Sequence, residues 1–150
     1  MALRDIVKDG DSTLRKTCRE VTAFDAKLGY ILDDMLETMI KAEGVGLAAP
    51  QIGILRRFAV CMMTSKEIVE LINPTILEAS GEEIMKEGCL SCPNKYLPVK
   101  RATNVLIRYQ DRHGKWIDRR FEGFDARVCQ HEMDHLDGVL FYDKATEDNE

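Results

Sequence analysis

The chain has 150 residues, of which 45% are hydrophobic and 31% are charged, and its formal net charge is −5. This length fits one domain covering residues 1–150, and the apolar content excludes a chain that is disordered throughout. The acidic balance provides no broad basic surface for nucleic acid or for an anionic membrane, so we expect no direct sequence-specific nucleic acid binding.

The first segment, residues 1–8, interrupts its apolar side chains with charges and therefore lacks the apolar core of a signal peptide. No segment of the chain approaches the roughly 20 apolar residues that span a bilayer. Five cysteines without an export signal indicate reduced thiols. We expect a cytoplasmic protein without a membrane-bound part.

A long amphipathic helix is predicted over residues 25–42, where apolar side chains recur every three or four positions. Gly44 is the expected stop of this helix. The following segment, 44–53, has neither helical nor strand periodicity, and its glycines and proline predict a shaped loop. Backbone groups in such a loop can approach a ligand closely.

The middle of the chain is rich in β-forming residues separated by turn signals. A break is expected at Asn73-Pro74, and the turn at 111–114 predicts a hairpin between the last two strands. The predicted strands cover residues 57–63, 68–72, 75–79, 82–87, 104–110 and 116–121.

The last periodic element is a helix over about 124–136, followed by a short apolar piece at 139–142. Residues from about 144 to 150 are expected to form a frayed acidic tail. The order of elements predicts an α+β fold, with mostly antiparallel strands packed around the C-terminal helix and a long N-terminal helix.

Two of the three histidines belong to the sequence His-Glu-Met-Asp-His at 131–135, on the predicted C-terminal helix. Residues four apart share a helix face, so both imidazoles can reach one metal ion. Glu132 lies beside the first histidine and can address a water on that ion. The alternative is a pair of partly buried core histidines, which the intervening Glu and Asp make less attractive.

A catalytic metal site of this type needs a third protein ligand and an open position for water. The metzincin pattern continues Gly-x-x-His, but only Gly138 fits here, because Phe141 stands at the histidine position. His113 falls in a predicted turn, where exposure is the default. The downstream carboxylates lie on a polar tail that does not fix them in place: Asp143, Glu147, Asp148 and Glu150. A thiolate from upstream is therefore the better candidate.

Cys89 and Cys92 are the candidate thiolates, within Glu-Gly-Cys-Leu-Ser-Cys-Pro at 87–93. The residues alone leave the choice between the two open. A single Cys-x-x-Cys is weak support for a redox motif or for structural zinc. The remaining cysteines sit in apolar or helical surroundings typical of small core residues: Cys18, Cys61 and Cys129.

Three separated blocks together resemble the peptide deformylase family, and they occur in the order found in that family. The combination is far more specific than any single block, and weaker matches occur at 13–15 and 109–114. The blocks are Gly-Val-Gly-Leu-Ala-Ala-Pro-Gln at 44–51, Glu-Gly-Cys-Leu-Ser at 87–91 and Gln-His-Glu-Met-Asp-His-Leu-Asp-Gly at 130–138. The resemblance selects Cys89 as the third metal ligand, beside His131 and His135.

The resemblance implies a hydrolase that removes the N-terminal formyl group from the initiator methionine of new polypeptides. It implies one divalent metal ion per chain, with Fe²⁺ expected and Zn²⁺, Ni²⁺ or Co²⁺ able to substitute. A metal-bound water would attack the formyl carbon, with Glu132 acting as general base and then as general acid. The Gln51 side chain and the Leu90 backbone N–H would donate to the oxyanion.

The substrate pocket is suggested by the resemblance and by helical spacing together. Backbone at Val45 and Gly46 would run alongside an extended peptide. Phe124 and Val128 share a helix stripe with the two histidines and would hold the methionine side chain. Val45 and Met85 are expected as further wall residues, and ordinary core packing is the alternative for the two helix positions.

Some features concern the surroundings of the site. Glu87 and Arg101 are expected to form an ion pair that supports the Cys89 loop, with a solvated surface pair as the alternative. Cys92 stands where the family more often has an aliphatic residue, and it adds a thiol open to oxidation. Asp125 falls where an apolar residue is common, and it is expected to be a helix N-cap.

We expect the protein to be a monomer whose partners are N-formylmethionyl nascent peptides. The chain ends soon after Tyr142 without the long final helix of many relatives, so any transient ribosome contact must use another surface.

An endopeptidase of the His-Glu-x-x-His kind is a second hypothesis for the function, but it would need a third metal ligand that the tail does not supply. A third is a binding module with structural zinc closed by Cys89, Cys92, His131 and His135. That module would leave Glu132 and Gln51 without a role.

Overall fold

The computed structural model describes residues 2–146, which form two α-helices, seven β-strands and three short 3₁₀ helices. Helix α1 is Ala26–Lys41 and helix α2 is Gly123–Leu136. The strands are β1 Gly46–Ala48, β2 Phe58–Met62, β3 Ile68–Ser80, β4 Glu83–Cys89, β5 Cys92–Arg101, β6 Asn104–Gln110 and β7 Trp116–Glu122. The 3₁₀ helices are Ser12–Arg15, Ala49–Ile52 and Phe141–Lys144.

Five strands form one antiparallel sheet in the order β1-β2-β3-β6-β7, while β4 and β5 form a separate antiparallel hairpin. Strand β2, which lies between β1 and β3, is buried on both faces. Phe58 and Val60 pack in a cluster with α1, whereas Cys61 packs in a cluster with α2. Because side chains alternate along a strand, the two helices cover opposite faces of this part of the sheet. The predicted α+β fold is confirmed.

Helix α1 begins where its N-cap, Asp25, accepts a hydrogen bond from the Leu28 N–H at 3.1 Å. Its end differs from the prediction, because Glu43 rather than Gly44 adopts the left-handed conformation, with φ 61°. The Gly44 N–H donates to the Met39 carbonyl at 2.9 Å and closes the last turn. Gly44 is needed for space, since a Cβ there would lie 2.6 Å from a Leu90 methyl group.

The strands predicted at 68–72 and 75–79 are one strand, β3, so the expected break is wrong. Asn73 has φ 52° and lies where the pairing with β6 shifts register. Its side chain accepts from the Val21 N–H at 2.8 Å and donates to the Val21 carbonyl at 2.9 Å. These bonds to the N-terminal segment hold the irregular backbone, so the strand bends at this point and continues beyond it.

Two strands were missed because the local pattern does not show them. Strand β5 contains Pro93 and Pro98, which it tolerates because β4 is its only strand partner among the described residues. Strand β1 lies inside the segment predicted as loop, and Leu47 pairs there with Val60 of β2. Three residues are too few to establish a period, so pairing with β2 decides the conformation.

The expectation that Asp125 is an N-cap is wrong. The cap position of α2 belongs to Glu122, and Gly123 follows with φ 60°. Asp125 lies in the first turn, where its carboxylate accepts from the Thr64 N–H at 2.8 Å. The side chain therefore ties α2 to the loop after β2, a contact between segments far apart in sequence.

The segment after α2 returns to the β4–β5 hairpin. Ala145 forms a bridge with Val99, and the Thr146 N–H donates to the Pro98 carbonyl at 2.8 Å. Of the tail predicted to fray, residues 147–150 lie outside the described part of the chain. Among residues 2–146, no helix combines the length and apolar composition needed to cross a membrane.

Candidate metal centre and active site

Three side chains converge between the β4–β5 hairpin and helix α2. Cys89 ends β4, while His131 and His135 lie one turn apart on α2. One ligand atom from each lies within 4.8 Å of the other two, and the Cys89 Sγ is 3.4 Å from the His135 Nε2. Both histidines are buried and the cysteine is half-buried. A thiolate with two imidazoles is a ligand set typical of a transition-metal site.

Cys92 lies outside this cluster, although it pairs with Cys89 across the hairpin turn. Its side chain is 4% exposed and packs with Val99 and Phe141. Burial, together with the neighbouring Cys89 thiol, raises the pKa of the Cys92 thiol to about 12. This environment is that of a core thiol rather than of a fourth ligand in a closed zinc site.

The His131 ring is held on two sides. Its Nδ1 lies 2.9 Å from the Glu87 Oε1, and the Phe141 ring stacks on it with centroids 5.9 Å apart. A carboxylate on Nδ1 sets the tautomer that leaves Nε2 free to bind a metal. Phe141, which stands where a metzincin would have a histidine, thus contacts the ligand instead of serving as one.

Glu87 is the centre of a buried ionic network rather than part of a solvated surface pair. It receives bonds from Arg101 at 2.8 and 2.9 Å and from Arg127 at 2.6 Å, and all three side chains are at most 5% exposed. Burial alone would raise the pKa of Glu87, but hydrogen bonds from Arg101 and His131 lower it to about 2. The carboxylate is therefore ionised where it meets His131. Arg127 was not singled out from the sequence.

Glu132 is 5% exposed, and its Oε1 has no hydrogen-bond partner among the described residues. The Nδ1 of His135 is buried and unpartnered in the same way. Buried polar atoms are seldom left unpaired, so the Glu132 Oε1 fits a site built to receive a polar group. A Cβ on Gly46 would overlap the Glu132 carboxylate, which explains a glycine at this position. Burial raises the pKa of Glu132 to about 7.

Gln51 reaches the same centre from the 3₁₀ helix that follows β1. Its Oε1 accepts from the Ala48 N–H at 2.9 Å, which fixes the amide. Its Nε2 donates to the Ser91 Oγ at 3.1 Å and lies 3.6 Å from the Cys89 Sγ. Leu90 forms the turn between β4 and β5 and lines the same cleft.

The cleft beside the cluster has a wall that is partly apolar. Of the predicted wall residues, Val45, Gly46, Phe124 and Val128 line it. Phe124 is 42% exposed and Val128 4%, so the first faces the opening and the second lies deeper.

Met85 does not line the cleft, so its prediction as a wall residue is corrected. It pairs with Val99 in the hairpin, and the β4 residues that line the cleft are 86–89. Tyr96 of β5 was missed because β5 was not predicted. The glycine at 88 was the available signal, since a Cβ there would lie 2.6 Å from the Tyr96 ring.

Comparison with known proteins agrees with this geometry. The model of the polypeptide deformylase family matches residues 3–150. Peptide deformylase 1 of Bacillus subtilis is 50% identical over 145 residues, which cover 96% of this chain and 91% of that protein. The crystal structure of peptide deformylase from Thermotoga maritima has a TM-score of 0.94 at 42% identity, covering 97% of this chain and 99% of that one.

A further solved structure is a class I type b peptide deformylase from Acinetobacter baumannii with Met-Ala-Ser bound. It has a TM-score of 0.90 at 34% identity, covering 95% of this chain and 98% of that one. The matches span nearly the full length of each protein. This chain therefore belongs to the peptide deformylase family.

Proposed function

We propose that this enzyme removes the formyl group from the N-terminal formylmethionine of nascent polypeptides. The observation that carries the proposal is the convergence of Cys89, His131 and His135 beside Glu132, whose buried Oε1 has no hydrogen-bond partner among the described residues. Family membership supports the same reaction. A closed structural site would leave no role for that carboxylate.

Cys89, His131 and His135 would hold one divalent ion, and we propose Fe²⁺ as the native one. A thiolate with two imidazoles also accepts Zn²⁺, Ni²⁺ or Co²⁺. When bound, the ion supplies a water whose pKa is lowered towards about 7 and polarises the formyl oxygen. Glu87 supports this role, because it holds the His131 ring from the Nδ1 side.

Glu132 is proposed to move the proton. Its Oε1 is the unpartnered buried oxygen, so it would take the proton of the attacking water and deliver it to the departing amine. A carboxyl pKa near 7 suits both directions, since it can accept and return a proton at cellular pH. Gly46 leaves the space that this carboxylate occupies.

Gln51 and Leu90 are proposed to stabilise the oxyanion, through the side-chain Nε2 and the backbone N–H respectively. Such a donor is worth about 3 kcal/mol of barrier. The backbone at Val45 and Gly46 would align the peptide, because β1 is an edge strand whose only strand partner among the described residues is β2. Phe124 and Val128 would accept the methionine side chain, in keeping with the Met-Ala-Ser peptide seen in the Acinetobacter baumannii relative.

The proposal extends to partners and location: a monomer that acts in the cytoplasm on nascent peptides, with a transient ribosome contact. The monomer is supported by the composition of the cleft, since one chain contributes all the proposed ligands, donors and wall residues. Sedimentation of the purified protein checks the monomer. Co-sedimentation with ribosomes at low and physiological salt checks the contact.

The reaction is tested on protein purified without oxygen, by elemental analysis and by release of formate from formyl-Met-Ala-Ser. We expect one ion per chain and turnover that requires the formyl group. The variant Glu132→Gln should keep the metal and lose at least about 100-fold in kcat, since general acid–base catalysis contributes that much. Glu122→Gln, the same change at an exposed position before α2, should be neutral. Metal-loaded wild-type protein without turnover would overturn the proposal.

A further inference from the structure

The N-terminal strap, residues 2–9, crosses from helix α1 to the candidate active site. At its start the Ala2 N–H donates to the Asp34 carboxylate at 2.7 Å, and Arg4 forms an ion pair with the same group at 2.9 Å. Ile6 then packs in the core cluster that also contains Leu90. The strap is therefore fixed to α1 at one end and packs against the same apolar cluster as Leu90 of the hairpin turn.

The far end of the strap hydrogen-bonds to the main chain of both loops that carry the proposed oxyanion donors. The Val7 N–H donates to the Gln51 carbonyl at 2.7 Å. The Asp9 N–H donates to the Ser91 carbonyl, next to Leu90, at 2.8 Å. The Asp9 carboxylate also accepts from the Tyr142 hydroxyl at 2.8 Å, which anchors this end to the segment after α2.

The two loops belong to different parts of the fold. Gln51 follows β1 of the five-stranded sheet, whereas Leu90 lies in the β4–β5 hairpin, which is not paired with that sheet. A side-chain link between the loops runs from the Gln51 Nε2 to the Ser91 Oγ. The Gln51 NH₂ group has two hydrogens, which are directed to the Ser91 Oγ and the Cys89 Sγ, so one of these two bonds would be given up when the amide donates to the oxyanion.

We propose that the strap is a positioning element that holds the Gln51 amide and the Leu90 N–H at their working separation. The inference rests on the proposed function. Its two main-chain bonds end on carbonyl groups that take no part in the reaction, so they persist while the Gln51 amide changes partner. A misplacement of about 1 Å in such a site can reduce the rate about 100-fold.

The test removes single N–H groups from the strap without altering any side chain. Cys18 allows a synthetic segment 1–17 to be ligated to residues 18–150, with the Val7 or the Asp9 amide replaced by an ester. We expect kcat on formyl-Met-Ala-Ser to fall about 10-fold to 100-fold, with KM and metal content changed less than about twofold. An ester at Lys8, whose N–H has no hydrogen-bond partner among the described residues, is the matched control and should be neutral.

A second measurement separates positioning from general support of the fold. In a Gln51→Ala background the Val7 ester should change kcat less than about twofold, because the group it positions is already absent. If the Val7 ester reduces kcat by the same factor in the wild-type and the Gln51→Ala backgrounds, the inference is overturned. A fall in kcat that is accompanied by loss of the metal would overturn it as well. If a ligated protein does not refold, the recombinant variant Asp9→Pro should show the same selective fall in kcat relative to Asp9→Ala, which lacks the carboxylate but keeps the N–H. If the ligated wild-type protein is inactive, the proposed function is contradicted. If it is active and the Val7 and Asp9 ester variants are equally active, only the positioning role of the strap is contradicted.

Discussion

At the scale of single residues, Glu87 is the group on which the site depends most. It accepts from Arg101 and Arg127 and holds the ring of His131, all away from solvent. Buried charges are tolerated when each is paired, and removing one partner leaves the others uncompensated. The carboxylate thus links the stability of the fold to the orientation of a proposed ligand.

Glu87→Gln should therefore lower the free energy of unfolding by about 3–5 kcal/mol, the usual effect of breaking a buried ion pair. Chemical denaturation of the two proteins at the same metal content measures the difference. Glu78→Gln is the control, because its pair with Arg120 is exposed, with side chains 63% and 44% accessible. Exposed pairs contribute about 0–1 kcal/mol. Equal effects of the two substitutions would contradict the central role of Glu87.

Cys92→Ala distinguishes the proposed catalytic site from a closed zinc site. The Cys92 side chain is buried with Val99 and Phe141 and lies outside the three-ligand cluster, so the variant should bind one ion per chain and retain turnover within about threefold. Elemental analysis and the formate assay measure both quantities. Cys89→Ala, three residues earlier, should lose the metal. Metal loss in the Cys92 variant would support the four-ligand alternative.

At the scale of secondary-structure elements, two glycines in regular structure differ in the space available for a side chain. Gly46 in β1 makes room for the Glu132 carboxylate, whereas Gly29 lies inside helix α1 with ordinary space around it. A Cβ on Gly29 would lie 3.4 Å from the Arg112 Nη1, an ordinary contact distance. A side chain should therefore be tolerated at Gly29 of α1 but not at Gly46 of β1.

Gly46→Ala should displace the Glu132 side chain and reduce kcat at least about 10-fold, since a displaced base loses its reach to the reacting atoms. Gly29→Ala is the matched control, with unchanged turnover. It should also raise the free energy of unfolding by about 0.5–1 kcal/mol, because glycine is unfavourable inside a helix. Steady-state kinetics and denaturation of both variants give the comparison. Full activity of the Gly46 variant would show that Glu132 does not need its present position.

At the scale of the whole molecule, the proposed ligands join two units that share no sheet. Cys89 belongs to the β4–β5 hairpin, and His131 and His135 belong to α2, which packs on the five-stranded sheet. A bound ion would cross-link these units in the folded state. Ligands that bind only the folded state stabilise it by mass action.

Removal of the metal should therefore lower Tm. At 100 times Kd the stabilisation is about 2.7 kcal/mol, which for a domain of this size corresponds to a shift of about 5–10 °C. Thermal unfolding of chelated and Fe²⁺- or Ni²⁺-reloaded protein measures it. In Cys89→Ala the same additions should leave Tm unchanged. A Tm that does not respond to metal in the wild type would contradict an ion held between the two units.

The local sequence was sufficient for features that depend on neighbours a few residues away. The apolar period predicted α1, the spacing of His131 and His135 placed both on one helix face, and the cluster of glycines marked the segment beside Glu132. Such patterns follow from helix and strand geometry alone. The resemblance to a known family then selected Cys89 from two cysteines that the residues alone did not distinguish.

Only the tertiary structure decided the features that depend on distant partners. Strand β5 forms in spite of its prolines because β4 pairs with it, and Asp125 bonds to Thr64 instead of capping α2. The same hairpin presents Lys86 and Tyr96 to the cleft in place of Met85. In each case the favourable contact is made by a segment remote in sequence, so its free energy does not appear in any local pattern.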